Sequence, residues 1–214
     1  MSKSNAAQNI NGWIIIDKPT GMTSTAVVNK IKWACRARKA GHAGTLDPSA
    51  TGILAIALGE ATKTIPYVTE QIKSYTFEVK WGEATDSDDS DGKIIHTSQM
   101  RPSEQDITAI LPRFRGEIKQ TPPFFSAVKI NGRRAYELAR SGEDFDIASR
   151  SLFVSSLKLE KYISENSAIL SLECGKGGYV RSIARDLGLE LGCYGHVKWL
   201  RRIASGSFNL SMAH

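Results

Sequence analysis

The first cluster of apolar residues, Trp13-Ile14-Ile15-Ile16, is too short for a helix and too continuous for a one-sided strand, which predicts a buried strand. Asp17-Lys18-Pro19-Thr20-Gly21 ends it as a proline and glycine turn. Ser24 can then cap a helix whose apolar positions Val27, Val28, Ile31, Ala34 and Cys35 share one face and which ends before Gly41. A second apolar run, Ile53 to Leu58, reads as another buried strand, and Ala61 to Thr69 as a short helix. Tyr75, Phe77, Val79 and Trp81 alternate with Thr76, Glu78 and Lys80, the period-two pattern of a half-buried strand.

After an acidic turn up to Gly92, Lys93 to His96 returns as a strand and closes a hairpin. Ser103 to Leu111 suggests a helix, Gly116 to Gln120 and Ser126 to Ile130 strands, Asn131-Gly132 a turn, and Tyr136 to Arg140 a short helix. Leu152 to Tyr162 and Ala168 to Cys174 read as paired strands. Gly177-Gly178 opens a helix with Ile183, Ala184, Leu187 and Leu191 inward, and His196 to Ile203 closes as a basic strand. Hairpins interleaved with helices point to an α+β (mixed α/β) fold with a largely antiparallel mixed sheet, not a doubly wound one. Residues 1–11 are expected to be a disordered tail and 12–214 one domain.

Composition adds little until charge is split along the chain. The 214 residues carry 28 Lys and Arg against 22 Asp and Glu, a net +6. Five of the acids (Glu83, Asp86, Asp88, Asp89, Asp91) stand together without a cation, which leaves +11 for the rest. That balance suits a polyanionic partner without requiring one. The predicted first helix bears Lys30, Lys32, Arg36, Arg38 and Lys39 on its other face, which is equally what a solvated helix face carries. Three cysteines with no C-x-x-C spacing argue against a disulfide framework or zinc ribbon and for a reduced, cytoplasmic setting. There is no signal-peptide pattern at the start of the sequence and no apolar run long enough to span a membrane.

Several motifs fail on spacing. In Asp86-Ser87-Asp88-Asp89-Ser90-Asp91-Gly92 the glycine falls one place late for a calcium loop, and Thr97 stands where Glu should be, so a solvated hairpin tip is expected. Gly175-Lys176-Gly177-Gly178 is not a Walker loop. His42, His96, His196 and His214 are too scattered to suggest a metal site, so no metal is expected. What remains is Asp47 in Gly41-His42-Ala43-Gly44-Thr45-Leu46-Asp47-Pro48-Ser49-Ala50-Thr51-Gly52, a constrained loop between the basic helix and a buried strand. An Asp before Pro is most often turn chemistry.

This twelve-residue segment resembles the aspartate-bearing motif of TruB-type tRNA pseudouridine synthases. Asp17-Lys18-Pro19-Thr20-Gly21-Met22-Thr23-Ser24 resembles the family motif that buttresses the active-site loop. Lys73-Ser74-Tyr75 is similar to the segment presenting the active-site tyrosine, and Gly177-Gly178-Tyr179-Val180-Arg181-Ser182 to the one presenting the arginine. His196-Val197-Lys198-Trp199-Leu200-Arg201-Arg202 resembles the late motif. One departure is Ala43, where bacterial members commonly carry a small hydroxyl residue.

The resemblance implies the pseudouridine synthase fold and isomerisation of uridine 55 in the T-arm loop of tRNA, without a cofactor. Asp47 is then the nucleophile, Arg181 keeps it ionised, and Tyr75 stacks on the base with its hydroxyl placed for proton transfer. His42 would hold the rearranged loop, Leu200 would wall the uracil, and Lys18 and Tyr179 would line the substrate. Lys129, Arg133, Arg201 and Arg202 would contact the arm through its phosphates, together with the Lys30 helix. A monomer is expected, with no C-terminal PUA-type domain and no obligate protein partner. The alternative reading is a tRNA-binding or folding module without turnover.

Overall fold

The computed structural model describes residues 8–214, so of the expected tail residues 1–7 lie outside the described residues. Residues 8–11 are held in place. Gln8 N–H donates to the Arg36 carbonyl at 2.8 Å, and Asn11 Oδ1 accepts from Glu60 N–H at 2.8 Å. The chain divides into two compact units, one comprising residues up to Tyr75 together with Arg201–His214, the other Thr76–Leu200.

The first unit opens with β1 (Gly12–Lys18), α1 (Ser24–Ala34), β2 (Ala40–His42) and β3 (Thr51–Leu58). β1 and β3 pair antiparallel from Gly12↔Leu58 to Lys18↔Gly52, and β2 pairs antiparallel with β3. The continuous apolar runs follow from burial on both faces of this ribbon. Leu54, Ile56 and Leu58 pack with Val27 and Val28 of α1, whereas Ile15, Ile53 and Ala55 pack with Ile65, Val68 and the terminal Phe208 and Leu210.

α1 is capped by Thr23, whose side chain accepts from Ala26 N–H, and not by Ser24 as the sequence suggested. It also ends earlier than expected. Arg36 N–H donates to the Trp33 carbonyl and Ala37 N–H to that of Lys32, a Schellman closure with Arg36 at φ 50° in the position glycine normally takes. A left-handed non-glycine residue costs about 1–2 kcal/mol. The expected helix after β3 is a 3₁₀ turn, Gly59–Thr64, that runs into α2 (Ile65–Thr69).

β4 (Lys73–Trp81) carries the chain from the first unit into the second, with Phe77, Val79 and Trp81 completely buried. The second unit continues with β5 (Glu83–Thr85), β6 (Ile94–Thr97), α3 (Glu104–Ile110), β7 (Gly116–Gln120), β8 (Lys129–Ile130), β9 (Arg133–Arg134), α4 (Ala135–Arg140), β10 (Arg150–Ser164), β11 (Ser167–Cys174) and α5 (Val180–Glu190). β10 pairs antiparallel with both β11 and β7. The returning strand β6 pairs with β5, inside the stretch expected to be an acidic turn, and not with the Tyr75–Trp81 strand, which lies between β11 and the later strand Gly195–Ser205. Of the strand expected over Ser126–Ile130 only Lys129–Ile130 forms, and α5 starts at Val180, later than Gly177-Gly178 suggested. Ile183, Ala184 and Leu187 are fully buried.

β12 (Gly195–Ser205) returns the chain to the first unit, where Arg201 and Arg202 lie parallel to Thr51 and Gly52 of β3, and β13 (Phe208–Asn209) folds back antiparallel on β12. The β1–β3, β2–β3, β7–β10, β10–β11 and β12–β13 pairings are antiparallel and the β3–β12 pairing is parallel, a mixed α+β architecture as expected. No helix among the described residues is long and apolar enough to cross a membrane.

Candidate active site

In the first unit, Asp47 sits in the connection between β2 and β3, and its surroundings explain why that connection is so rich in glycine. Gly52 has φ 101°, and a Cβ there would overlap the carbonyl oxygen of Arg202 and lie 2.8 Å from its nitrogen. The parallel β3–β12 contact therefore needs glycine at this end of the loop. Gly44, with φ 117°, turns the other end.

Three side chains brace the loop from outside. Ser24 Oγ donates to the Leu46 carbonyl at 2.9 Å and accepts from Leu46 N–H at 2.8 Å, so the residue before Asp47 is held at both backbone groups. Lys18 Nζ, completely buried, donates to the carbonyls of Pro19, Met22 and Pro48 at 2.8, 2.8 and 3.1 Å. Arg202, 1% exposed, donates through Nε to Ile53 O at 2.7 Å and through its two terminal nitrogens to Thr45 O and Gly44 O at 3.3 and 3.1 Å. A cation can satisfy several carbonyls at once, so these two replace the backbone partners that an irregular loop lacks.

These contacts correct two expectations. Arg202 is not a surface cation for phosphates, because its guanidinium is buried and engaged with the loop. Lys18 likewise points into the loop's backbone and acts as a buttress. Burial lowers its pKa, an effect that the charge of Asp47 opposes and that of Arg202 reinforces. Arg201 is partly exposed and forms a forked pair with Asp17 at 2.6 and 3.0 Å.

His42 closes β2. Burial lowers its pKa, with the positive charge of Arg202 adding to the effect, so the imidazole is neutral at pH 7. Its Nδ1 is buried and has no hydrogen-bond partner among the described residues. Tyr75 is 9% exposed near the start of β4.

The second unit holds Arg181, Tyr179, Leu200, Lys129 and Arg133. Arg181 is 5% exposed in the first turn of α5. One terminal nitrogen donates to Ser87 O at 2.9 Å and lies 3.5 Å from Asp89 Oδ2, while the other donates to Phe125 O at 3.1 Å. The acidic tip is therefore not a solvated turn. It folds over α5, with Ser87 and Asp88 buried and Asp88 paired with Arg185 at 2.8 Å. Val197 N–H donates to Asp88 O, and Ser90 N–H to Val197 O, which ties the tip to β12 as well. The −5 set aside in the charge arithmetic is thus partly neutralised inside the fold.

Sequence reasoning missed Asp89, Asp88 and Ser87 as groups around Arg181, although a dense acidic run with no cation of its own was the available signal. It also missed Gln120, 3% exposed, which accepts from Tyr179 N–H at 2.8 Å and donates to Tyr179 O at 3.1 Å. Leu200 is half-buried on β12. Lys129 is exposed, and Arg133 is exposed and paired with Glu143 at 2.9 Å.

Burial raises the pKa of Asp88 from 3.8 to about 6, against the opposing pull of Arg185. The folded state therefore holds this proton more tightly than the unfolded chain. The contribution to stability is fully present below pH 3.8 and is lost as pH rises through about 6. Between pH 4 and 6.5 the protein is expected to lose about 2 kcal/mol relative to Asp88→Asn. Urea denaturation of both proteins across that range checks this; parallel stability curves would contradict it.

The sequence comparisons agree with the layout. The model of the TruB family pseudouridylate synthase N-terminal domain matches residues 32–180, and that of the tRNA pseudouridylate synthase B C-terminal domain matches residues 181–214. The chain belongs to the TruB family of pseudouridylate synthases. Among its TruB relatives, a protein of Ruegeria pomeroyi named tRNA pseudouridine synthase B is 58% identical over 97% of this chain and 69% of its own length. One of the same name from Bartonella henselae is 54% identical over 93% of this chain and 62% of its own. Among solved structures, a Cbf5-Nop10-Gar1 complex superposes with a TM-score of 0.71 at 31% identity, covering 93% of this chain. An H/ACA RNP bound to a substrate RNA containing 2'-deoxyuridine gives a TM-score of 0.69 at 28% identity. This chain spans about half the length of those two structural neighbours.

Proposed function

We propose that this TruB-family chain converts uridine to pseudouridine in tRNA, at position 55 of the T-arm loop, with Asp47 as the nucleophile. The observation that carries the reading is the bracing of the Asp47 loop. Lys18, Ser24 and Arg202 together make hydrogen bonds to eight backbone groups between Pro19 and Ile53, with Arg202 reaching back about 150 residues in sequence. Such bracing suits a loop that must present one carboxylate in a fixed position. The names of the relatives support tRNA as the substrate.

The reaction breaks the bond between ribose C1′ and uracil N1 and makes one between C1′ and C5. C5 loses a proton and N1 gains one, so the change is an isomerisation that consumes nothing. A carboxylate nucleophile divides it into two easier steps through a covalent intermediate. The resemblance gives the neutral His42 the role of holding the rearranged RNA loop. The resemblance gives Tyr75 the stacking and proton-transfer role and Arg181 that of keeping the carboxylate ionised. Leu200 is the apolar wall, Tyr179 lines the substrate, and Lys129, Arg133 and Arg201 bind phosphates.

The test is incubation with unmodified tRNA followed by site-resolved pseudouridine mapping. Product at position 55 alone is expected. Salt-sensitive binding with no product after long incubation would instead support a tRNA-binding module without turnover.

A further inference from the structure

From Lys18 to Leu46 the chain carries six cations and no acid. α1 is the only helix in that stretch, and its outer face presents Lys30, Lys32, Trp33 and, just past the helix, Arg36 and Arg38, all exposed. Trp33 is 82% exposed, the most exposed large apolar side chain among the described residues. Neither Trp33 nor the cations beside it pack into the core formed by Val27 and Val28 on the opposite face. An indole left in water has no folding role, and Lys30 lies one turn away on the same face.

Arg36 supplies an independent observation. It occupies the left-handed position of the Schellman closure at φ 50°, where glycine would remove the strain. Its hydrogen bonds there are made by backbone atoms, which any residue could provide. A strained residue whose side chain is not needed by the turn points to a use for that side chain.

We propose that the outer face of α1 is an RNA-docking platform, in which Trp33 stacks on an unpaired base and Lys30 and Arg36 hold the flanking phosphates. Positive charge without any acid fits a phosphate backbone, and an exposed indole fits a base that has left its helical stack. Ser24, at the start of α1, clamps the Asp47 loop, and Trp33 lies nine residues further on, roughly 14 Å along the helix axis. The platform therefore binds RNA away from the target nucleotide. This inference rests on the tRNA reading above.

The experiment uses the whole chain, an unmodified tRNA transcript, and the variants Trp33→Ala, Trp33→Phe and Arg36→Gly. Tryptophan fluorescence should fall when wild type binds tRNA, and Trp33→Phe should lose most of that change. Trp33→Ala should bind about five- to hundredfold more weakly, with KM raised and kcat unchanged. Arg36→Gly separates binding from folding: it should raise the melting temperature while weakening binding and lowering the salt slope by about 0.7–0.9. Wild-type affinity in Trp33→Ala, no fluorescence change on binding, or Trp33-dependent self-association without an effect on tRNA would overturn the platform. If wild type maps pseudouridine normally while these outcomes occur, only the platform falls. If wild type neither binds nor modifies tRNA, the functional reading falls and takes the platform with it.

Discussion

Asp47→Asn is expected to bind tRNA as wild type does and to form pseudouridine at least about 10⁴-fold more slowly. The substitution keeps the size and shape of the side chain and removes its charge. The loop should survive it, because Ser24, Lys18 and Arg202 hold backbone groups on either side of Asp47. Lost chemistry with retained structure is therefore the signature of a nucleophile, whereas a turn-forming aspartate would give lost structure. Circular dichroism, tRNA affinity and single-turnover product formation on the same preparation separate the two. Product formation within tenfold of wild type would end the nucleophile assignment.

Gly52→Ala should have the largest effect on stability. The added methyl would meet the Arg202 backbone, which cannot move without breaking the parallel contact between β3 and β12. The residue would also sit at φ 101°, a region costly for any side chain. Overlap and strain together are expected to cost about 3–5 kcal/mol, which lowers the melting temperature by roughly 10–15 °C or prevents folding. Gly21→Ala is the control, since a Cβ there meets nothing within 4 Å although φ is also positive, at 84°. If both variants melt together, backbone strain alone accounts for the loss and the close approach contributes nothing.

Much of the architecture could be read from hydrophobic periodicity, because β3, β4 and β11 are largely buried, β1 is partly buried and β10 buries one side of its first half, and their patterns follow from which faces they cover. The Asp47 loop was legible for another reason: its glycines and small residues form a long contiguous motif. The partners that hold it were not. Whether an arginine at the end of a basic strand faces solvent or turns into a loop 149 residues earlier depends on the β3–β12 register, which no local pattern contains. Ser24 shows the same limit on a smaller scale. By type it suits a cap, but Thr23 takes that place and leaves Ser24 for Leu46. The acidic tip misled because charge predicts exposure on average, whereas here two arginines of α5 give it a reason to be buried.

The dependence of the Asp47 loop on Arg202 also has a consequence for the order of synthesis. Gly44 and Thr45 leave the ribosome more than 150 residues before the arginine that fixes their carbonyls. At usual rates of translation that interval is roughly 8–30 s. Throughout it the nascent chain carries the whole twelve-residue motif without its arginine, so the loop acquires its complete bracing only when β12 is delivered.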